Sequence, residues 1–343
     1  MVFLNSKVPR KKIDGTDLAS FTDSVRGFVS RTNTTIGRVY KKARYLGYQN
    51  DKFILPSESS ESSTGILGPT IRAAVGDVLR IVFRNRLSFA SNLVFQDGSA
   101  MQLKYLRVRT FPSKIWSSPI PGTSSDLEHY AVQPGDEVEA YWVVPASSGP
   151  APYDPSTISW SYSSSLSVDH LFAGLVGGLI TASNADALET GSAANGANKE
   201  YVLAWFISNE NRSPYLHDNI QKYTEETQVD VEDEGFQESN LKHAVNGRLS
   251  CNLQGLHASL GDRVRFHFLG LGSELDMHTP QVHGNMLHTG GGKSTGSFAA
   301  TVGVHPGARA TTDIIAHTPG KWMLECGVND HWAAGMRALL NVQ

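Results

Sequence analysis

Apolar residues fall at alternate positions through much of the chain. Leu79, Ile81 and Phe83 alternate with Arg80, Val82 and Arg84; Val138, Ala140 and Trp142 with Glu137, Glu139 and Tyr141; Val264, Phe266 and Phe268 with Arg263, Arg265 and His267. A period of two predicts strands with one buried face. Turn formers precede these runs, at Gly76-Asp77, Pro134-Gly135-Asp136 and Gly261-Asp262. Few stretches carry the period of a long amphipathic helix, so the expected class is all-β, built as sandwiches.

The pattern then returns. Gly76-Asp77-Val78-Leu79-Arg80 is matched by Gly261-Asp262-Arg263-Val264-Arg265, and Val132-Gln133-Pro134-Gly135 by Val304-His305-Pro306-Gly307. Asp169-His170-Leu171-Phe172-Ala173-Gly174-Leu175 is matched by Asp330-His331-Trp332-Ala333-Ala334-Gly335-Met336, in the same order. Two homologous sandwich domains are expected, over about 1–185 and 200–343. The Ala-, Asn-, Gly- and Ser-rich stretch 183–199 reads as the linker.

Composition narrows the function. Of 343 residues 40% are hydrophobic and 18% charged, enough to bury two cores. The balance of 30 Lys and Arg against 33 Asp and Glu argues against a nucleic-acid surface. No apolar run reaches the ~18 residues of a membrane span. Met1-Val2-Phe3-Leu4 leads quickly into Pro9-Arg10-Lys11-Lys12, with no signal-peptide core, which fits a cytosolic chain or a mature form. Two cysteines, Cys251 and Cys326, exclude a disulfide scaffold.

The sharpest chemistry lies near the C-terminus. Cys326, His331 and Met336 form Cys-x4-His-x4-Met, and His278 follows a predicted strand upstream. One thiolate, two imidazoles and a thioether make the trigonal site of a blue (type 1) copper centre with a weak axial Met. A nucleophilic role for Cys326 gives no reason for the Met, and a buried free Cys gives none for the set of four. In the first half His331 is matched by His170 and Met336 by Leu175. Cys326 falls on Ser163-Ser164-Ser165, and His278 on Asn92. The first half therefore lacks the thiolate, His170 reads as structural, and one such copper per chain is expected.

At these residues the chain resembles the ceruloplasmin–hephaestin family of multicopper ferroxidases. Gly65-Ile66-Leu67-Gly68-Pro69, Ala173-Gly174-Leu175-Val176-Gly177, Val245-Asn246-Gly247-Arg248 and Thr318-Pro319-Gly320-Lys321-Trp322 carry the likeness. The resemblance implies two tandem cupredoxin-like Greek-key β-sandwich domains, with His278, Cys326, His331 and Met336 as type 1 copper ligands. It also implies an oxygen-reducing trinuclear cluster on eight histidines, and here the chain departs. The expected His-x-His and His-Cys-His read Gln281-Val282-His283 and Glu325-Cys326-Gly327; the first-half pairs read Phe95-Gln96-Asp97 and Ser163-Ser164-Ser165. Only His283 remains, expected as a hydrogen-bonded strand residue, so four-electron oxygen reduction should be absent.

The family's ferrous-iron site has counterparts in Glu238, His243 and Asp330, with Glu274 as a fourth ligand donated by a neighbouring subunit. That donation implies a homo-oligomer, with a ring of three chains favoured. A structural reading, with Glu238, His243 and Asp330 kept for hydrogen bonding, stands beside it. The acidic run from Glu225-Glu226 to Glu232-Asp233-Glu234 reads as a cation-drawing field or a solvated loop. Two functions follow: a copper redox protein that takes an electron from iron(II) and passes it to a protein acceptor or slowly to oxygen itself, or a non-enzymatic blue copper protein serving as pigment, copper carrier or electron carrier. A copper-stapled structural protein is a third. Cys251 reads as a partly buried free thiol. Asn33-Thr34-Thr35 and Asn211-Arg212-Ser213 are glycosylation sequons, and the family favours a secreted location beside the cytosolic alternative.

Overall fold

A computed structural model describes residues 2–7, 23–57, 62–96, 101–110, 115, 117–121, 130–224, 229–273, 276–291 and 296–343. Four sheets make two sandwiches. In the first half a six-stranded sheet runs β2 (Arg44–Tyr48), β1 (Val2–Lys7), β4 (Val78–Asn85), β8 (Glu137–Val143), β6 (Gln102–Arg109) and β7 (Ile120–Pro121). Facing it lies β3 (Ile71–Ala74), β10 (Val176–Ala182), β9 (Thr157–Ser163) and β5 (Val94–Phe95). The second half repeats both orders. Its larger sheet runs β12 (Leu241–Val245), β11 (Lys199–Asn209), β14 (Arg263–Gly270), β18 (Arg309–Ile315), β16 (Leu287–His288) and β17 (Phe298–Ala299). Its smaller sheet runs β13 (His257–Ala258), β20 (Arg337–Val342), β19 (Gly320–Cys326) and β15 (Pro280–Val282).

The pairings agree in sense as well as order. β1 lies parallel to β4 as β11 does to β14, and β3 parallel to β10 as β13 does to β20; the remaining neighbours in each half are antiparallel. The longest described helix, α4 (Leu216–Tyr223), has eight residues. The all-β expectation therefore holds. Each sandwich closes on its own core: Tyr45, Phe83, Trp142 and Tyr162 in the first half, Trp205, Phe266, Phe268 and Leu324 in the second. A third apolar cluster, with Ile180, Val202, Phe206 and Leu269, joins the halves.

The expectation of one buried face per strand needs correcting. The polar partners in the alternation are buried too. Glu137 and Glu139 are fully enclosed, each held by two arginines, Arg84 with Arg109 and Arg80 with Arg107. In the second half Arg265 and His267 are fully enclosed. The reason is tertiary: β14 and β18 pack against β9 of the first half. Arg265 there donates to Asp313 on β18 and to Ser156, Thr157 and Asn195 of the first half and connector.

Stretch 183–199 is also more than a loose tether. It holds a short helix, α3 (Ala185–Leu188), capped by Asn184, whose Oδ1 accepts from Ala187 N–H at 2.8 Å. Asn195 and Ala197 are buried, because Asn195 is one of the acceptors for Arg265. Small residues supply the turns that let the chain pass through a packed junction.

Candidate metal centre

Three segments meet at one end of the second sandwich. β15 is preceded by His278, β19 ends in Cys326, and α6 (Asn329–Ala333) carries His331. The bridge between His278 and Val304 fixes the first imidazole: each backbone N–H donates to the other's carbonyl at 2.8 Å. The loop after Cys326 is closed by its own backbone, Met336 N–H donating to His331 O at 2.9 Å and Cys326 N–H to Met336 O at 3.2 Å. Gly335, at φ +106°, makes the turn in a region that a side chain would strain.

These constraints bring donor atoms together. His278 Nδ1 and His331 Nδ1 lie 3.1 Å apart, and Cys326 Sγ lies 3.6 Å from His331 Nδ1. All three side chains are buried, and Met336 lies fully buried in the same core cluster as Cys326. Among the described residues this trio is the one group of three or more His, Cys, Asp or Glu side chains whose donor atoms all come within 4.8 Å of one another. Two imidazole nitrogens facing each other can share only one proton, whereas a cation between them takes both lone pairs.

The electrostatics suit a thiolate. Burial pushes the Cys326 thiol up, but hydrogen bonds from His278, His331 and the backbone N–H groups of Thr279 and Val328 outweigh it and hold it at about 6. His278 is raised: burial lowers it, and Asp276 and Cys326 more than offset that. Asp276, missed by sequence reading, accepts from Ile207 N–H at 2.6 Å and from Ser273 N–H at 2.7 Å. Its Oδ1 stands 3.4 Å from His278 Nε2, too loosely placed for a hydrogen bond but close enough to favour a protonated Nε2, while Nδ1 faces His331 Nδ1. Soft sulfur with two imidazoles is a copper donor set.

The first half shows what the same frame does without sulfur. The bridge Ser91–Val132 corresponds to His278–Val304, and Ser163 pairs with Val176 as Glu325 does with Arg337. The counterparts of His278 and Cys326 are therefore Ser91 and Ser164. This corrects the match of His278 to Asn92 by one residue and selects Ser164 from the serine run. Ser164 Oγ lies 2.8 Å from His170 Nδ1, so His170 is held by hydrogen bonding and by the Phe89 ring 4.8 Å away. The same register moves the first-half counterparts of Gln281 and His283 to Val94 and Gln96; Asp97 lies outside the described residues.

Known proteins match this frame. A family model described as multicopper oxidase matches residues 219–343. Rat hephaestin is 33% identical over 92% of this chain, and human ceruloplasmin 34% over 92%. The chain belongs to the multicopper oxidase family. It spans about a quarter of the length of these relatives, 25% of rat hephaestin and 27% of human ceruloplasmin. Among solved structures, a copper nitrite reductase from Nitrosomonas europaea superposes with TM-score 0.58 at 15% identity, covering 99% of this chain and 93% of that one. The multicopper oxidase mgLAC gives 0.57 at 17%, covering 99% and 85%. At these identities the structures speak for the fold.

The other residues of interest to a multicopper oxidase fall in two groups. The His243 ring is buried 5.3 Å from that of His331, while Glu238 on α5 (Glu234–Ser239) and Asp330 are exposed; the three do not gather into a cluster like the copper trio. Burial, then the charge of His331, lowers His243 to about 4. Glu274, Glu225 and Glu226 lie outside the described residues. Around the former cluster positions Glu325 is buried and bonded to Gln281, His283 and Trp332, so His283 is hydrogen-bonded as expected, one residue past β15. Cys251 is a half-buried free thiol, pushed up by burial. Asn33 is exposed, whereas Asn211 gives its side-chain amide to Asn209 and Gln237.

Proposed function

We propose that this chain is a type 1 copper protein that handles single electrons, with His278, Cys326, His331 and Met336 holding one copper ion per chain. The convergence of two imidazole Nδ1 atoms and one thiol in a buried pocket carries this reading. Copper, when bound there, supplies reversible one-electron chemistry. The chain's own contribution is rigidity and dryness: three ligands sit on one backbone-closed loop, and apolar packing around Met336 excludes water.

Iron(II) is the substrate this reading favours. It would be oxidised to iron(III), and the electron would leave to a protein acceptor rather than to an oxygen-reducing cluster, whose positions hold Gln281, Glu325 and Gly327. His243, 5.3 Å ring to ring from His331, supports the iron reading, with Glu238, Asp330 and a neighbour's Glu274 as further ligands in a ring of three chains. The family favours a secreted protein. The non-enzymatic alternative, a pigment or carrier, draws support from the exposed, ungathered Glu238 and Asp330. The test is the visible spectrum of the copper-loaded protein as iron(II) is added without oxygen. An intense blue band that bleaches, and bleaches more slowly in Glu238→Ala, supports iron oxidation; a band indifferent to iron leaves the carrier reading; no blue band removes the copper assignment.

A further inference from the structure

Glu325 sits beside Cys326 with its carboxylate on the opposite face of β19 from the thiol. That carboxylate accepts from Gln281 Nε2 at 3.0 Å, from His283 Nε2 at 2.6 Å and from Trp332 Nε1 at 2.7 Å. The donors come from the segments that carry the metal-site donors. Gln281 lies in β15 and His283 one residue past it, both just downstream of His278, and Trp332 follows His331 in α6. We infer that Glu325 is a positioning residue, a clamp that ties the three ligand-bearing segments together from behind and sets the spacing of His278, Cys326 and His331. The inference rests on the copper reading above and specifies what maintains that site.

The internal repeat offers a comparison within one chain. At the corresponding first-half positions stand Ser163 for Glu325, Val94 for Gln281, Gln96 for His283 and Leu171 for Trp332. The clamp is missing from the half in which the thiolate is missing. A carboxylate accepting three hydrogen bonds is a stronger tie than neutral pairs, because each bond is charge-assisted. It also faces away from the ligands, so its loss removes no donor atom and acts only through geometry. The Arg337 guanidinium, cross-strand from Glu325, packs over the Trp332 ring 4.7 Å from its centre and adds to its hold.

The experiment compares copper-loaded wild type with Glu325→Ala, Glu325→Gln, Trp332→Phe and the Glu325→Ala/Trp332→Phe double variant. The readouts are the copper(II) electron paramagnetic resonance spectrum, the position of the sulfur-to-copper absorption band and the rate of copper release to a chelator. Glu325→Ala should shift the band and hyperfine splitting and weaken copper retention by about 10-fold, the low end for an outer partner because Glu325 bonds to neighbours of the ligands and not to a ligand. Glu325→Gln, which keeps one acceptor oxygen, should fall between. Trp332→Phe should shift the same signals in the same direction, and add little once Glu325 is gone. A Glu325→Ala protein with the wild-type spectrum and release rate, but a lower melting temperature, makes Glu325 a fold residue and overturns the clamp. A wild type that never turns blue removes the copper reading itself, and the role given to Glu325 with it.

Discussion

Replacing Arg265 by Met tests whether the two sandwiches fold as one body. The guanidinium is fully enclosed. Its Nε and Nη2 donate to the two oxygens of Asp313 at 2.8 and 3.0 Å, and its Nη1 donates to Ser156, Thr157 and Asn195 at 2.9, 2.9 and 2.8 Å. Met fills much of the volume but satisfies none of these acceptors. Asp313, itself buried, keeps only the longer contact to Arg263 at 3.6 Å. Removing one partner of a buried pair costs about 3–5 kcal/mol, chiefly the penalty of the stranded charge. Converting Asp313 to Leu as well removes that charge, so the double variant should regain about 1–4 kcal/mol over Arg265→Met alone. The assay is urea unfolding followed both by tryptophan fluorescence and by circular dichroism. Because the lost bonds cross the junction, the two probes should also separate into two transitions. A loss below about 1 kcal/mol for Arg265→Met, or a double variant as unstable as the sum of the singles, would refute the reasoning.

Two further outcomes are expected. Lys242 is fully buried, and burial, only partly offset by Glu210, lowers it to about 7. The unfolded chain, with a lysine near ~10.4, then binds a proton that the fold does not. This group's contribution is full above that value and is lost as pH falls toward 7, so stability rises between them, by at most ~1.4 kcal/mol per pH unit. Lys242→Met should flatten that slope when urea midpoints at pH 7.5 and 9.5 are compared; an unchanged slope counts against the buried lysine. Cys326→Ser removes the sulfur ligand and, by analogy with Ser164, leaves a hydroxyl beside the histidine. It should abolish any intense blue band while leaving a folded protein, as judged by circular dichroism.

The donor-bearing loop was legible because its spacing is local: Cys326, His331 and Met336 sit on one closed loop, and no long-range register has to be known to see them. His278 was legible through its place after a strand. What escaped was set by contacts distant in the chain. The first-half loop from Ser164 to His170 is one residue longer than that from Cys326 to His331, so the serine opposite Cys326 stayed open until strand pairing showed it; the separate one-residue slip that put Asn92 opposite His278 shows only in the Ser91–Val132 and His278–Val304 bridges. Arg265 and His267 read as solvent-facing because alternation reports that two faces differ, not what covers the second. Glu325 read as the loss of a cluster histidine. Its three donors, from β15 and α6, are visible only once the strands are paired.

The first half allows the site to be rebuilt and its requirements separated. Ser91→His, Ser164→Cys and Leu175→Met, with His170 already in place, supply all four ligands. The frame would accept them at a cost: Ser91 is fully buried with no hydrogen-bond partner on its hydroxyl, and an imidazole there overpacks the core by about 1–3 kcal/mol. Three features should still spoil the copper. The loop to His170 is a residue too long, and Ser163 stands where the Glu325 clamp would be. Ser163 and Ser164 also line a cavity of about 380 Å³ at the junction with Leu271 and Pro306, which gives water a way to the first-half position. Water competes for copper(II) and favours a tetragonal, weakly coloured site over a trigonal one. In a Cys326→Ser background, where the native band is gone, the triple variant should therefore bind copper(II) with a wide hyperfine splitting and only pale colour. Deleting one residue from the loop and adding Ser163→Glu with Leu171→Trp should narrow the splitting and deepen the blue. If the triple variant is already as blue as the native protein, neither the clamp nor the dry pocket sets the site, and the four ligands on this fold suffice.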